Sequence, residues 1–223
     1  MRTGRERRGN SIVSAGRPHS TTLDQEMITI GQRVQLAIDD FGQGRFELAL
    51  QHAAIAIDIT AQRHYQSARS SKLLYKKLLK EYSWLIELMA FGGINLEESK
   101  FGNYPIDGNP EPTFQDLIYH VIRCELVHAE GVPENFGFTD TDTITLQKDH
   151  LVFPKKLIWG LLAVVVFCPC NSDQRTAEGY WLSIFENRFV INDFWGQETV
   201  AKIVYEKRKP IRVGIICPPG HMV

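Results

Sequence analysis

Arg123 and His128 carry side chains capable of chemistry and lie in one predicted helix, His128 five positions after Arg123. Histidine can take or give a proton near neutral pH. Arginine is a permanent cation whose planar donor fork suits a phosphate group. Together they could cleave RNA without a metal: His128 would take the proton of a 2′-hydroxyl, and Arg123 would stabilise charge on the phosphoryl oxygens. The pair therefore marks a candidate ribonuclease site.

Helix geometry restricts how this pair could act. Five residues of a straight α-helix turn about 500°, so Arg123 and His128 would point about 140° apart. A joint site needs an arginine reaching round the helix, a frayed helix end, or a second copy of the chain. Glu125 lies three residues before His128 and could orient its ring. His120 lies three residues before Arg123 and is a further candidate.

Two other groups of basic residues deserve comparison with this pair. Arg45 and His52 repeat the motif with six residues between them, but they lie on a predicted helix with a regular apolar stripe, which favours structural roles. A second predicted helix places a row of cations opposite its apolar stripe: Arg69, Lys72, Lys76, Lys77 and Lys80. This row could track an RNA backbone, although a solvated helix face is the commoner meaning of such a run.

The cysteines give no metal-ligand pattern. Cys124, Cys168, Cys170 and Cys217 form no Cys-x-x-Cys pair, and the Cys-x-Cys of Cys168 and Cys170 is a weak signal. No glycine-rich phosphate loop stands out. Trp159, Trp181 and Trp195 are expected in the core of the C-terminal part. The sequence thus predicts neither a metal site nor a cofactor.

Composition indicates a protein of the cytoplasm. The 25 basic and 26 acidic residues nearly cancel, so the overall charge announces no nucleic-acid or membrane partner. Residues 1–22 are basic and polar and are expected to form a flexible arm rather than a secretory signal. The longest apolar run, 157–168, is shorter than the roughly 20 residues of a membrane span and is interpreted as a buried helix.

Apolar periodicity predicts a mainly helical fold with a small α+β C-terminal part. The helical period of three and four residues marks helices over 23–41, 45–67, 70–91 and about 113–130, followed by 154–167 and 197–207. Two β-hairpins are predicted, with strands 143–146 and 151–153 in the first and 180–185 and 189–194 in the second, and a last short strand over 212–216. We expect an antiparallel helical bundle over 23–153 and a C-terminal part over 154–223 packed on it.

Two segments resemble a known family. The stretch 122–131, Ile-Arg-Cys-Glu-Leu-Val-His-Ala-Glu-Gly, looks like the Arg-x4–6-His motif of HEPN domains, and 44–58 looks like an early helix of that family. HEPN domains are small helical bundles, commonly dimeric, and many are metal-independent RNases of toxin–antitoxin, phage-defence or RNA-processing systems. The resemblance covers about residues 23–153. It implies that Arg123 stabilises phosphate and His128 acts as base or acid in a cleft between two protomers.

Two function hypotheses follow. The first is a dimeric, metal-independent endoribonuclease of HEPN type in a defence or toxin-like system, with RNA as substrate and an antitoxin as a candidate partner. The second is a non-catalytic HEPN-like module that dimerises or binds another protein. Cys124 and Glu130 stand where many family members have a polar residue and some have tyrosine, and these two departures favour the second hypothesis.

Overall fold

Helices form most of this chain, whose computed structural model describes residues 28–91, 93–102, 104, 106, 108–126, 136–147, 150–184, 187–208 and 216–217. For 123–126, 146–147, 182–184, 187 and 216–217 only the backbone is described. The predicted arm over 1–22 and residue His128 lie outside the described residues. The α-helices are α1 (Ile30–Gly42), α2 (Phe46–His64), α3 (Lys72–Glu81), α4 (Ser83–Ala90), α5 (Phe114–Leu117), α6 (Leu157–Phe167) and α7 (Glu198–Arg208). The mainly helical class is confirmed, whereas the HEPN-like identity of the bundle stays a prediction.

Helices α1 and α2 pack against each other as neighbours along the chain. Thr29 caps α1, because its hydroxyl accepts from the Gln32 backbone N–H while the Gln32 side chain accepts from the Thr29 backbone N–H. Gly44 adopts a φ of 74°, a left-handed conformation that glycine takes without strain. The short turn after Gly42 therefore sends α2 back along α1.

Helix α6 forms the centre of the core. All of its residues except Trp159 are buried, and it packs against α2 and α4. Gly160 allows this close approach, since a Cβ atom there would lie 3.3 Å from Ile86 Cα on α4. The apolar run therefore makes a buried helix, as predicted. One hydrophobic core includes residues from both sides of the predicted boundary at residue 153.

The helix predicted over 70–91 is two helices, α3 and α4. Tyr82 separates them with φ −103° and ψ 16°, a conformation outside the α-helical range. The apolar stripe nevertheless continues, because Leu78, Tyr82 and Leu85 are all buried. Periodicity alone therefore indicated one helix where the backbone forms two.

The helix that carries Arg123 begins in α form and continues in π form. Thr113 caps α5 through a reciprocal box with Asp116. A π-helix then spans Ile118–Leu126. Hydrogen bonds in a π-helix join residues five apart, so the straight α-helical geometry assumed for this segment does not apply.

The strands of the described residues form three small sheets. The first predicted hairpin is β3 (Thr145–Gln147) with β4 (His150–Pro154), and an unpredicted strand, β2 (Phe136–Thr139), pairs with β4 in parallel. The second hairpin is β5 (Trp181–Ile184) with β6 (Asn187–Val190). The strands β1 (Lys100–Phe101) and β7 (Ile216–Cys217) pair in parallel. Both hairpins were predicted, with strand ends shifted by up to four residues.

The described helices are all too short or too polar to cross a bilayer. Helix α6 is the most apolar of them, and its 11 residues compare with the roughly 20 that a span requires. Its apolar surface is instead covered by the helices around it.

Candidate metal centre

The predicted ribonuclease residues lie on the π-helix or beyond it. His120 is half-buried on this helix, and Arg123 and Glu125 belong to its described backbone. His128 lies outside the described residues. The described residues therefore leave the pairing of Arg123 with His128 untested, and the ribonuclease site stays a prediction.

Three lysines of the predicted basic row contact other side chains of the same chain. Lys76 forms an ion pair with Asp116 on α5. The ammonium of Lys72 lies 5.4 Å from the centre of the Tyr119 ring, and that of Lys77 lies 4.5 Å from the Tyr65 ring. Arg69 and Lys80 are exposed. Much of the row therefore binds its own chain, and RNA contact by Arg69, Lys72, Lys76 and Lys80 stays a prediction.

The second Arg-to-His match has structural contacts, as its setting suggested. Arg45 forms an ion pair with Asp40 at 2.5 Å, and His52 Nε2 lies 3.4 Å from the other carboxylate oxygen of Asp40. Arg45 and His52 thus share one carboxylate at the interface between α1 and α2.

The described residues contain one group with metal-ligand character, which we name the Cys–His cluster: His64, Cys168 and Cys170. His64 Nδ1 lies 3.4 Å from Cys168 Sγ, and Cys168 Sγ lies 3.4 Å from Cys170 Sγ. All three ligand atoms lie within 4.8 Å of one another. Two sulfurs and one imidazole nitrogen therefore converge on a space the size of one ion.

Three backbone features bring this cluster together. His64 is the last residue of α2, and Cys168 caps the carboxyl end of α6 in an extended conformation. Pro169 then opens a 3-10 turn, Pro169–Asn171, which turns the chain so that Cys170 lies beside Cys168. The Cys-Pro-Cys sequence is thus held against the end of α2.

Asn171 fixes the turn to the helices. Its buried side-chain amide donates to Thr60 Oγ1 at 2.9 Å on α2 and to the carbonyl of Val165 at 2.8 Å on α6. A buried amide with both hydrogens satisfied restrains its segment strongly. The positions of the two thiols therefore depend on a rigid attachment and not on a free loop.

A carboxylate stands behind the histidine. His64 Nε2 lies 3.4 Å from Glu81 Oε1, and the hydroxyl of Tyr65 donates to Glu81 Oε2 at 2.8 Å. Histidines that bind metals through one ring nitrogen usually donate the other N–H to a carboxylate or carbonyl. Glu81 thus holds the Nε2 proton and leaves Nδ1 free to face the sulfurs.

The thiols differ in their readiness to lose a proton. The Cys170 thiol donates to the Cys168 sulfur, and together with the Tyr82 hydroxyl and the His64 ring it lowers the pKa of Cys168 against the opposing effect of burial. The same interaction raises the pKa of Cys170. Cys168 therefore loses its proton more readily than an ordinary thiol, and thiolate is the form that binds metals.

The spacing of the ligand atoms suits a tetrahedral zinc ion. With Zn–S bonds of about 2.3 Å and Zn–N bonds of about 2.0 Å, ligand atoms in a tetrahedral site lie about 3.4–3.8 Å apart. The His64–Cys168 and Cys168–Cys170 separations of 3.4 Å require shifts of a few tenths of an ångström. The His64–Cys170 separation is below 4.8 Å and closes by up to about 1.3 Å around such an ion.

A hydrolytic triad of Cys168, His64 and Glu81 would use the same contacts. A nucleophile must reach its substrate, but Cys168 has 0% of its surface exposed. His64 and Cys170 are only partly buried, so an ion could enter from their side. Burial of the central sulfur therefore favours metal binding over nucleophilic catalysis.

Sequence reasoning missed this cluster. His64 is 104 residues from Cys168, so no local spacing links them. The only signal was the Cys-Pro-Cys sequence, whose spacing of two is uncommon among zinc motifs. The sequence-based expectation of no metal site stays a prediction, and the tertiary fold brings together a Cys–His group that the sequence spacing did not indicate.

Comparisons with known proteins give a family without a named activity. Residues 29–216 match the Rv1289 protein family. Similar proteins include the uncharacterized protein Rv1289 of Mycobacterium tuberculosis and the uncharacterized protein Mb1320 of Mycobacterium bovis. Each is 25% identical over 186 residues, which cover 79% of this chain and 88% of the relative. No solved structure matches the chain significantly.

Proposed function

The chain belongs to the Rv1289 family, and we propose that this member binds a zinc ion through His64, Cys168 and Cys170. The observation that carries the proposal is the convergence of two thiols and one imidazole, with Glu81 oriented behind the imidazole. The cluster contains the ligand atoms of a metal site and also a carboxylate, Glu81, that orients the histidine ligand.

The ligand types support zinc over harder ions. Thiolate and imidazole are soft or intermediate ligands, which select zinc or copper(I) over calcium and magnesium. Three protein ligands leave one position of a tetrahedral ion for water or a small ligand, as in catalytic zinc sites. We therefore propose a zinc centre with one position open to solvent on the side of His64 and Cys170.

Metal analysis of purified protein tests the proposal. We expect close to one zinc ion per chain, and we expect Cys168→Ser, Cys170→Ser and His64→Ala each to lose most of it. His150→Ala is the matched control, because His150 is an exposed histidine on β4 outside the cluster. Zinc content that is equal in all of these proteins, or absent after incubation with zinc under reducing conditions, would overturn the proposal.

Cobalt substitution tests the ligand set independently of the amount bound. Co²⁺ bound by two thiolates in tetrahedral geometry gives sulfur-to-metal charge-transfer absorption and intense visible bands. We expect these bands in the wild-type protein and reduced charge transfer in Cys170→Ser. Cobalt spectra without thiolate bands would contradict the assignment of the cysteines as ligands.

The ribonuclease hypothesis is a separate proposal. What supports it is the motif itself and the π-helix that carries Arg123, since π-helical turns often occur at functional sites. Its test is cleavage of RNA in EDTA by wild-type protein, Arg123→Ala and His128→Ala. Activity unchanged in both variants would exclude this pair as the catalytic site, and a strictly monomeric chain in light scattering would exclude the predicted dimer cleft.

A further inference from the structure

A cavity of about 520 Å³ opens between the carboxyl end of α1, the first turn of α6 and residues 178–181. It shares no lining residue with the Cys–His cluster, so it is independent of the proposed zinc ion. Its volume falls in the range of sites that hold small molecules, about 300–1,000 Å³.

Four of the eight described residues that line this cavity are aromatic. We name this cavity the aromatic cleft, after Phe41, Trp159, Tyr180 and Trp181. Phe41 and Trp159 touch with ring centroids 4.5 Å apart, and Trp181 keeps 42% of its surface exposed. Aromatic faces that a core would normally cover are thus left open toward a concave surface.

The charge of the cleft is negative. Glu178 is the only charged side chain among the described residues that line it. Behind the wall, the Tyr180 hydroxyl donates to both carboxylate oxygens of Asp39, at 2.7 and 2.9 Å. An anion would therefore meet unfavourable potential here, and a cation would be attracted.

One cation already binds an aromatic face beside the cleft. The guanidinium of Arg188 lies 4.3 Å from the centre of the Trp181 ring. Nearby Lys155 and Lys156 belong to an adjoining cavity and are paired with Asp140 and Asp142, at 2.9 and 2.7 Å. The ion pairs neutralise these lysines, and Glu178 remains the only charged side chain among the described residues that line the cleft itself.

We propose that the aromatic cleft binds an organic cation of the quaternary ammonium or methylated amine class. Such a cation is weakly hydrated and is attracted to the faces of tryptophan, tyrosine and phenylalanine, while a carboxylate at the edge neutralises its charge. Ring faces with one carboxylate offer no set of oxygen ligands for a metal ion. The remaining volume accommodates an apolar group attached to the ammonium.

The charge is tested with a pair of ligands of equal shape. Choline and its neutral isostere 3,3-dimethylbutan-1-ol are titrated into the full-length protein, followed by tryptophan fluorescence and calorimetry. We expect choline to bind at least tenfold more tightly than the isostere, with benzyltrimethylammonium tighter still because it fills more of the cleft. Equal binding of choline and the isostere, or no binding of either cation, would overturn the proposal.

Variants of the wall locate the binding. Gly42 lines the cleft and has no atom within 4 Å of an added Cβ, so Gly42→Leu should fill the cleft without disturbing the fold and abolish binding. Trp181→Ala should weaken choline binding about tenfold, and Glu178→Gln about threefold. Glu47→Gln, at an exposed acidic position on α2, is the control and should bind as wild type. Unchanged binding in folded Gly42→Leu and Trp181→Ala would place the site elsewhere and refute the assignment.

Discussion

His52 illustrates how a single side chain is fixed by its neighbours. Arg33 NH1 on α1 lies 3.1 Å from His52 Nδ1, and Asp40 lies 3.4 Å from His52 Nε2. Because arginine is always a donor, Nδ1 accepts and the ring carries its proton on Nε2, facing Asp40. Burial, and then the charge of Arg33, lower the pKa of His52, while Asp40 acts in the opposite direction. The neutral ring is therefore the form that fits this site.

This lowered pKa predicts how stability depends on pH. A folded-state pKa below the unfolded value of about 6.5 stabilises the protein above that pH, and the contribution is lost as pH falls through the folded-state pKa. We expect the free energy of unfolding of wild type to fall more steeply than that of His52→Gln as pH drops below about 6.5. Glutamine keeps an acceptor for Arg33 and a donor for Asp40 but does not titrate.

Urea unfolding at pH 7.5 and pH 5.5 measures this difference. The other titrating groups are common to both proteins, so the difference between their slopes reports His52. Parallel loss of stability in wild type and His52→Gln would show that folding leaves the pKa of His52 unchanged.

For single residues, the sequence predicted which side chains are structural better than it predicted which residues they contact. It singled out Arg45 and His52 as structural, but Asp40, which joins them, lacked any signal in the spacing. The sequence did not indicate a role for His64, because its partners Cys168 and Cys170 are more than 100 residues away along the chain. The spacing of residues along the sequence predicts contacts within one helix or strand. Contacts between distant residues depend on how the helices and strands pack.

Helices α4 and α6 lie close together at Gly160. A Cβ on Gly160 would lie 3.2 Å from Ile86 Cγ2 and 3.4 Å from the Ile86 carbonyl oxygen. The backbone atoms of α4 cannot move away without opening the core beneath them. The absence of a side chain at Gly160 therefore allows α4 and α6 to approach closely at this position.

The same substitution at two helical glycines should differ in its effect on stability. Gly160→Leu overpacks the α4–α6 interface and should lower the free energy of unfolding by about 2 kcal/mol or more. Gly42→Leu adds its side chain to open space at the end of α1 and should change stability by less than about 1 kcal/mol. Urea midpoints at constant m-value compare the two variants. Similar destabilisation in both would refute close packing at Gly160 as the cause.

Helices whose ends or apolar runs are marked in the local sequence were predicted correctly. Features that depend on contacts with distant parts of the chain were not. Thr113 and Asp116 form a capping box at the start of α5, and the apolar run 157–168 indicates α6. The break at Tyr82 leaves the apolar stripe intact, so periodicity cannot detect it. Strand β2 pairs in parallel with β4 and begins 14 residues before it, at a distance where no turn signal connects two strands.

Contacts between residues far apart in sequence hold distant parts of the chain together. The Cys–His cluster joins the end of α2 to the turn after α6, across 104 residues. Arg63 and Asp173 add an ion pair at 2.6 Å between the same two regions. A metal ion at this point would tie together two helices that already pack in the core, in the way that a cross-link closes a long loop.

Removal of the metal should therefore destabilise the entire fold and not only the site. Ligand binding to the folded state adds about 4 kcal/mol when the free ion is at a thousand times its dissociation constant. For a chain of this size each kcal/mol corresponds to about 2–4 °C in Tm, so a chelator should lower Tm by roughly 10 °C. Calorimetry with and without chelator measures the shift, and added zinc should restore it. Cys168→Ser should unfold at the lower temperature whether or not chelator is present, while His150→Ala should respond as wild type. A wild-type Tm that ignores chelator, or a chelator effect that persists in Cys168→Ser, would show that no ion at the Cys–His cluster supports the fold.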